Sequence, residues 1–229
     1  MRSEVTHGRV LWHNADVINP RSLDLTRFLT DWYGPRDVPA ATLPAAAAWL
    51  PAPLKAWFTL EMQWSIPLVI SQKMIPCDAI EPRDGMAIFM TDSSGDWRWA
   101  FDVSTPNVVY ESALHRAWEM ASEELSDLLL HNAIGESVMN SRASRLCSHV
   151  PANLLPEILA PMDEVGFLEW RWPAPGCRTY MGDSLVAQVG PSISRTAPWG
   201  PIDQYFEVQV GTSKIDGVSY LDGLGIEWI

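Results

Sequence analysis

The sequence predicts an α+β fold, a single domain in which a mixed or antiparallel β-sheet is covered by helices mainly on one face. The prediction rests on segment order: helical patterns come first, β-type patterns follow, and a second helical section precedes a last group of β-type segments. That order does not alternate strand by helix, as a doubly wound parallel sheet would require. With 229 residues, 47% of them hydrophobic, the chain is long enough to bury one substantial core.

The first helical segment is "RSLDLTRFLTDWYG", in which apolar residues recur at helical spacing. Ser22 is the predicted N-cap and Gly34 the predicted stop. The next segment, "TLPAAAAWLPAPLKAWFTLEM", contains Pro44 and Pro51 at positions that suit first helical turns, which predicts two short helices in succession. Four tryptophans at helical spacing are predicted to fill the core: Trp32, Trp49, Trp57 and Trp118.

The middle of the chain predicts a β-hairpin. "IPLVISQ" and "GMAIFMTDSSGDWRWAFD" are short β-type runs, and the Ser-Ser-Gly sequence places the hairpin turn at residues 93–96. "TPNVVYE" predicts a further strand. Because successive strand residues point to opposite faces, Trp97 and Trp99 share one face of the second arm while Arg98 projects from the other.

A long helical section is predicted from Ser112 through "SALHRAWEMASEELSDLLLHNAIGESVMNS", with a second start at which Ser122 is the N-cap. Its acidic residues Glu123, Glu124 and Asp127 would then lie on a helix surface. A proline-marked connector follows, and residues 145–165 are the candidate domain boundary. The last predicted strands, which would extend the sheet within residues 165–228, are "GFLEWRW", "CRTYMG", "SLVAQVG" and "QYFEVQVGTS".

Acidic residues dominate the charge: 16 Lys and Arg stand against 28 Asp and Glu, a formal net charge of −12. The excess is concentrated in residues 111–170, which hold 3 basic and 10 acidic residues. A nucleic-acid ligand is not expected, because such ligands need basic surfaces. A concentrated acidic face raises the encounter rate with a basic protein, although the same charge is also typical of an ordinary solubilising surface.

The sequence predicts no cofactor and no metal. Cys77, Cys147 and Cys177 are widely separated and form no CxxC pair, and the five histidines form no two-ligand motif. No glycine-rich loop has the spacing that cradles phosphate.

One enzymatic motif is present, "GDSL" at residues 182–185, which names a family of serine esterases. The serine of such enzymes needs a histidine base downstream. No histidine follows His149 in this chain, so Gly182 and Asp183 are better explained as a turn into the strand "SLVAQVG", which begins at Ser184. A serine hydrolase is therefore the weakest of three functional hypotheses.

The first residues, "MRSEVTHGRVLWHNADV", mix charged and apolar side chains and lack the pattern of a secretory signal. No stretch approaches the roughly 18 uninterrupted apolar residues of a membrane span. We therefore expect a cytoplasmic protein with no membrane partner.

Several of these features in succession resemble the SUKH superfamily over residues 22–140. They are "FLTDWYG", an "LP" before a tryptophan-bearing helix, the strands of the hairpin, "TPNVVYE", and "ELSDLLL" before a helix. Residues 91–95 stand where the family has a polar turn, without its Glu, Asn and Gln side chains. The positions that match the family pattern are Gly85 and Phe89, Trp97 or Trp99, Pro106 and Val108, and residues 125–129.

Members of that superfamily are mostly bacterial immunity proteins for polymorphic or contact-dependent toxins, and eukaryotic relatives are regulatory and adaptor proteins. The resemblance implies a non-enzymatic, cytoplasmic immunity protein that binds and neutralises the catalytic domain of a cognate toxin, which we expect to be basic. The alternative is an adaptor that recognises a peptide or protein partner through the same cleft. Aromatic anchors and acidic side chains predict partner contacts at Trp64, Asp92, Ser93, Asp96, Trp97, Glu123, Glu124 and Asp127.

Overall fold

Two antiparallel sheets lie on opposite sides of one central helix in the computed structural model, which describes residues 17–192 and 204–229. Within this part of the chain the α-helices are α1 (Leu25–Tyr33), α2 (Ala52–Glu61), α3 (Leu125–Met139) and α4 (Leu155–Leu159). The strands are β1 (Gln72–Met74), β2 (Pro82–Arg83), β3 (Met86–Asp92), β4 (Trp97–Asp102), β5 (Val108–Ala113), β6 (Glu119–Glu124), β7 (Ala143–Pro151), β8 (Asp163–Val165), β9 (Arg178–Gly182), β10 (Leu185–Pro191) and β11 (Tyr205–Thr212).

The first sheet has the strand order β1-β3-β4-β5-β6, with β2 paired to the start of β3. The predicted hairpin is confirmed: β3 and β4 pair antiparallel around a turn at residues 93–96. "TPNVVYE" is confirmed as β5, although "IPLVISQ" contributes only its last residue to β1. A β-bulge between Ile88 and Met90 allows both Phe89 and Met90 to be buried in the core.

Helix α1 ends at Gly34, as predicted, where a φ of 94° lies in the region that favours glycine. Its N-cap is Asp24, so the prediction of Ser22 is wrong. The Asp24 carboxylate accepts a hydrogen bond from the Arg27 backbone amide at 3.0 Å, while Ser22 closes a short 3-10 turn before the helix. The two proline-led helices are confirmed as a 3-10 turn at Ala45–Ala47 and as α2.

The four tryptophans that were predicted to fill the core differ in how deeply they are buried. Trp32 and Trp57 are buried, as predicted. Trp49 is 41% exposed, because it lies between the 3-10 turn and α2 and only one part of its ring meets Phe101, 5.8 Å away. Trp118 is half-buried on the loop before β6 and outside any helix, so the core assignment is wrong for both Trp49 and Trp118.

Helix α3 begins at Leu125, so the predicted helix between residue 112 and residue 124 is wrong. Residues 119–124 instead form β6, which pairs with β5 at the end of the first sheet. Ser122 is consequently an exposed strand residue and caps no helix. In α3 itself 11 of 15 residues are buried, so the helix is enclosed by other elements on nearly every side.

The second sheet has the strand order β7-β11-β10-β9-β8. Three predicted strands are confirmed as β9, β10 and β11, whereas "GFLEWRW" is wrong, because residues 166–172 contain no strand. Strand β7 was not predicted; it pairs with β11. The strands after residue 142 therefore form a separate sheet and do not extend the first one.

Helix α3 joins the two sheets. Leu125 and Leu129 belong to the core of the first sheet, while Ile134 and Val138 pack with Val186 of β10. The predicted α+β class is confirmed, and the described residues form a single domain. None of the helices in residues 17–192 and 204–229 has the length and apolar composition needed to cross a membrane.

Candidate functional site

The hairpin turn is fixed from inside by Asp92. Its carboxylate accepts hydrogen bonds from the Trp97 backbone amide at 2.8 Å and from the Ser94 hydroxyl. Burial raises the pKa of Asp92, but hydrogen bonds from Ser94, Trp97 and Gly95 outweigh burial and hold the pKa below its usual range. Asp92 is therefore a buried residue that shapes the turn, and the prediction that it lies on the rim of a binding cleft is wrong.

Ser93 and Asp96 are exposed at the tip of the turn, where the sequence placed them. Trp97 is half-buried, and its indole N–H donates a hydrogen bond to the Glu111 carboxylate at 3.3 Å. The Leu114 amide donates to the Asp96 carbonyl at 2.6 Å, so Leu114 lies beside the turn. Partner contact at Ser93, Asp96 and Trp97 stays a prediction that this geometry permits.

Trp64 is buried, contrary to the prediction of a partner contact. Its indole N–H donates to the Gly34 carbonyl at 3.0 Å, and the Arg36 guanidinium lies 5.8 Å from the centre of its ring. The ring fills the core of the first sheet, because the end of α1 and the segment after α2 close around it. A partner cannot reach Trp64 without displacing these elements.

The acidic residues 123–127 do not share one surface. Glu123 is buried at the end of β6, where its carboxylate accepts hydrogen bonds from the Leu168 amide at 3.0 Å and from the Trp170 indole at 2.6 Å. Glu124 is exposed, and the Asp127 carboxylate lies 3.3 Å from the Arg21 guanidinium. The prediction of an acidic helix surface is wrong for Glu123, because the chain is a strand there and its side chain points toward residues 166–170.

The outer face of the first sheet carries a row of apolar residues that sequence reasoning missed. Directly opposite residues in antiparallel strands share a face, so the register places Ile88, Ala100 and Tyr110 side by side, with Met120 at the end of the row. Ala100 is 0% exposed between its neighbours, Ile88 and Tyr110 are half-buried, and Met120 is 64% exposed. None of the three hydrophobic clusters formed by the described residues includes any member of this row.

Arg98 lies next to this row on the same face. Its guanidinium stacks over the Trp118 ring, 4.9 Å from the ring centre. The Nε of Arg98 is buried and has no hydrogen-bond partner. We call Ile88, Arg98, Ala100, Tyr110, Trp118 and Met120 the outer face; Met120 could have been found only by predicting β6 as a strand.

The predicted turn before the strand is confirmed, but it spans Asp183 and Ser184, so Ser184 precedes β10 and is not its first residue. Its φ of 62° is in the left-handed region, and its hydroxyl donates to the neighbouring Asp183 carbonyl. A cavity of about 450 Å³ lies beside it, and no histidine is among the described residues that line this cavity. The Lys214 ammonium, which also lines it, is 3.0 Å from the Asp183 carboxylate.

Metal-ligating side chains do not converge within residues 17–192 and 204–229, where no group of three His, Cys, Asp or Glu is placed to hold an ion. Comparison of the chain with protein-family models, with curated proteins and with solved structures found no match. What the SUKH resemblance implies therefore stays a prediction.

Proposed function

We propose that this protein is a non-catalytic binding protein that neutralises the catalytic domain of a cognate toxin, and that the outer face is its contact surface. The observation that carries the proposal is the apolar row of this face, which contributes to none of the hydrophobic clusters of the described residues. A solvated face of an antiparallel sheet normally carries polar side chains. An apolar row outside the core is what a protein interface requires.

The Arg98 and Trp118 pair supports a protein partner in particular. Arginine and tryptophan are the residues that most often dominate interface energies. The Arg98 guanidinium makes no ion pair with a described residue, and its two terminal nitrogens are not among the enclosed atoms, so they are available to a carbonyl or carboxylate of a partner.

Charge around the outer face supports a basic partner. Asp96 at the hairpin turn and Glu119 and Glu124 on β6 are exposed close to the row. With a net charge of −12, the protein would attract a basic domain, such as a toxin that acts on nucleic acid, and speed its association. The acidic residues would contribute mainly to the association rate, and the apolar row mainly to the lifetime of the complex.

The test uses two exposed apolar residues changed in the same way. Met120→Asp places a carboxylate on the outer face, and Ile215→Asp does so at a site that is 73% exposed and lies away from both sheets' strands. The probe is the C-terminal domain of the large secreted protein that we expect to be encoded beside this chain. Calorimetry should show at least about a 30-fold loss of affinity for Met120→Asp, equal to about 2 kcal/mol, and no loss for Ile215→Asp.

Protection of cells that express the toxin domain should fall in parallel. Equal affinity of both variants would remove the outer face from the proposal. If no such reading frame lies beside the one that encodes this protein, and if the protein gives no protection in the cell assay, toxin neutralisation is contradicted and an adaptor function is favoured.

A further inference from the structure

A polar cavity of about 310 Å³ lies away from the outer face, between α3, the second sheet and residues 170–177. Its volume is at the lower end of the range of small-molecule sites in proteins. The lining residues that matter for its chemistry are Asn132 from α3, Gln188 from β10, Glu207 and Gln209 from β11, and Trp170 and Trp172.

Asn132 is the most informative of these residues. It is only 3% exposed and lines the cavity, yet its carboxamide has no hydrogen bond to any described residue. Its amide atoms are not among the fully enclosed atoms that lack a partner, so they face the open cavity, where water or a ligand can bond them. A buried polar group that the fold does not use for its own hydrogen bonds is expected to bond something that enters the cavity.

Gln188 presents a second carboxamide in the same place. A Cβ on Gly135 would lie only 2.6 Å from the Gln188 Nε2. The absence of a side chain at this position of α3 therefore provides the space that the Gln188 side chain occupies. The Gln188 side-chain amide also makes no hydrogen bond to the described residues, whereas its backbone lies within the second sheet. Two unpaired carboxamides from different elements therefore line one cavity, and each offers a donor beside an acceptor.

The charges that line the cavity disfavour an anionic ligand. The Glu136 carboxylate is already engaged by the backbone amides of residues 70–72. Glu207 has no ion pair in the described residues, and burial raises its pKa. The Arg178 guanidinium, the cation of the lining, lies 3.4 Å from the Glu164 carboxylate. Phosphate and carboxylate groups would meet two glutamates and no unpaired cation.

Aromatic side chains form a wall that is held in place by the core. The rings of Trp170 and Trp172 lie 5.6 Å and 5.8 Å from the ring of Trp99. His131 stacks on Phe167 with ring centres 4.0 Å apart and planes 3° apart. Such a wall provides flat apolar surfaces for a planar ligand without reorganisation.

We infer that this cavity binds a neutral planar ring that carries a hydrogen-bond donor beside an acceptor, of the nucleobase or nucleoside class and without a phosphate. Asn and Gln carboxamides pair with the donor and acceptor edge of a base through two hydrogen bonds. Aromatic faces stack on every base. The inference concerns a different surface from the proposed toxin contact and does not depend on it.

Calorimetry on the full chain with adenosine, guanosine, cytidine and uridine tests the inference, with AMP and glucose as the phosphate-bearing and non-planar comparisons. At least one nucleoside should bind with a Kd below about 1 mM, and AMP should bind more weakly than adenosine. Asn132→Leu keeps a similar volume without the amide, and Gln188→Met does the same on β10. Each should weaken binding of that nucleoside at least tenfold, whereas Met120→Asp on the outer face should not change it.

The melting temperature of Asn132→Leu separates ligand binding from a structural role. Replacing an unpaired buried amide by an apolar side chain should leave the melting temperature unchanged or raise it. The inference is overturned if none of the four nucleosides binds at about 1 mM, if AMP or glucose binds more tightly than every nucleoside, if the two variants bind as the unchanged protein does, or if Asn132→Leu melts at a clearly lower temperature.

Discussion

Helix α3 meets the first sheet and the second sheet in different ways. Toward the first sheet, leucines 125, 128 and 129 enter a core that also contains Trp99 and Phe89. Toward the second sheet, Ile134 and Val138 make an apolar contact, but beside it lies the cavity with its unpaired carboxamides. One helix thus has a side that is filled by apolar side chains, apart from an open groove of about 580 Å³ lined by α1, α2 and α3, and a side that is filled only in part.

The difference separates stability from binding capacity. Each apolar side chain that is buried in a filled interface adds to the free energy of unfolding, and an enclosed cavity there would lower it. The partly filled side presents side-chain amides that make no hydrogen bond within the described residues and are accessible from the cavity, so they are available to a ligand. We expect substitutions on the first side to change the melting temperature and substitutions on the second side to change ligand binding.

The largest expected effect is that of Trp99→Ala. Trp99 is 0% exposed in the core of the first sheet and contacts Trp170 and Trp172. Removing so large a ring leaves a cavity, and the loss should be roughly 3–5 kcal/mol of unfolding free energy. Urea unfolding measures this loss directly.

Trp97→Ala is the matched variant two residues earlier on the same face. Because Trp97 is half-buried, its loss should be less than about half as large. Equal losses for the two variants would show that the whole strand belongs to the filled core and that Trp97 is not available to a partner. Partner titration of Trp97→Ala then measures whether its exposed part contributes to binding.

The next largest effect distinguishes two neighbouring acids. Glu123 joins β6 to residues 166–170 through hydrogen bonds from Leu168 and Trp170, and its carboxylate lies 3.1 Å from the His131 Nδ1. Glu123→Ala would leave these buried donors unpaired, at a cost of about 2–3 kcal/mol. Glu124→Ala, at an exposed position, should change the stability by less than about 0.5 kcal/mol.

Chemical denaturation of both variants gives the comparison. Since Trp170 lines the cavity, Glu123→Ala should also weaken nucleoside binding, whereas Glu124→Ala should not. A stable Glu123→Ala protein would mean that residues 166–170 hold their place without this carboxylate, and that the wall of the cavity is independent of β6.

The elements with local signals could be predicted from the sequence. The hairpin β3–β4 combines period-two alternation with a Ser-Ser-Gly turn, and α1 has a helical period that ends at a glycine. Both depend on residues close in the chain. The candidate surface near Ser93, Asp96 and Trp97 followed from the same local signal.

The remaining elements depend on distant partners. "EMASEE" has weak strand propensity and forms β6 only because β5 offers an edge, and β7 pairs with β11, which follows it by more than fifty residues. "GFLEWRW" does alternate, but its aromatic residues pack on His131 and Trp99 from an irregular segment. The cavity could not be predicted either, since its carboxamides come from α3, β10 and β11.

A pH effect of about 2 kcal/mol is expected at Glu61, the last residue of α2, which packs on α3 at the filled side. Burial raises the pKa of Glu61 from 4.5 to about 7. Above the ordinary pKa the unfolded chain ionises while the folded chain stays protonated, so the free energy of unfolding should fall as the pH rises from about 4.5 to 7 and stay lower beyond it.

Glu61→Gln cannot ionise and should be more stable than the unchanged protein at pH 8, with the difference vanishing at pH 4. Urea unfolding at both pH values measures this, and Glu81→Gln at an exposed position is the matched control. A constant difference between Glu61→Gln and the unchanged protein across this range would mean that the Glu61 carboxyl is not buried with a raised pKa.

The smallest effects are expected at Ser184, in the β9–β10 turn of the second sheet. Its φ of 62° costs a non-glycine residue strain, so Ser184→Gly should be more stable than Ser184→Ala, by no more than about 1 kcal/mol. Both variants should bind partner and nucleoside as the unchanged protein does, because the Ser184 hydroxyl donates only to the carbonyl beside it. Thermal melts measure the stability of the two variants, and a chromogenic ester assay measures any esterase activity. If the unchanged protein cleaves an ester and both variants lose this activity, Ser184 is a nucleophile. Its base would then have to be the deprotonated Lys214 amine or a group outside the described lining of the cavity.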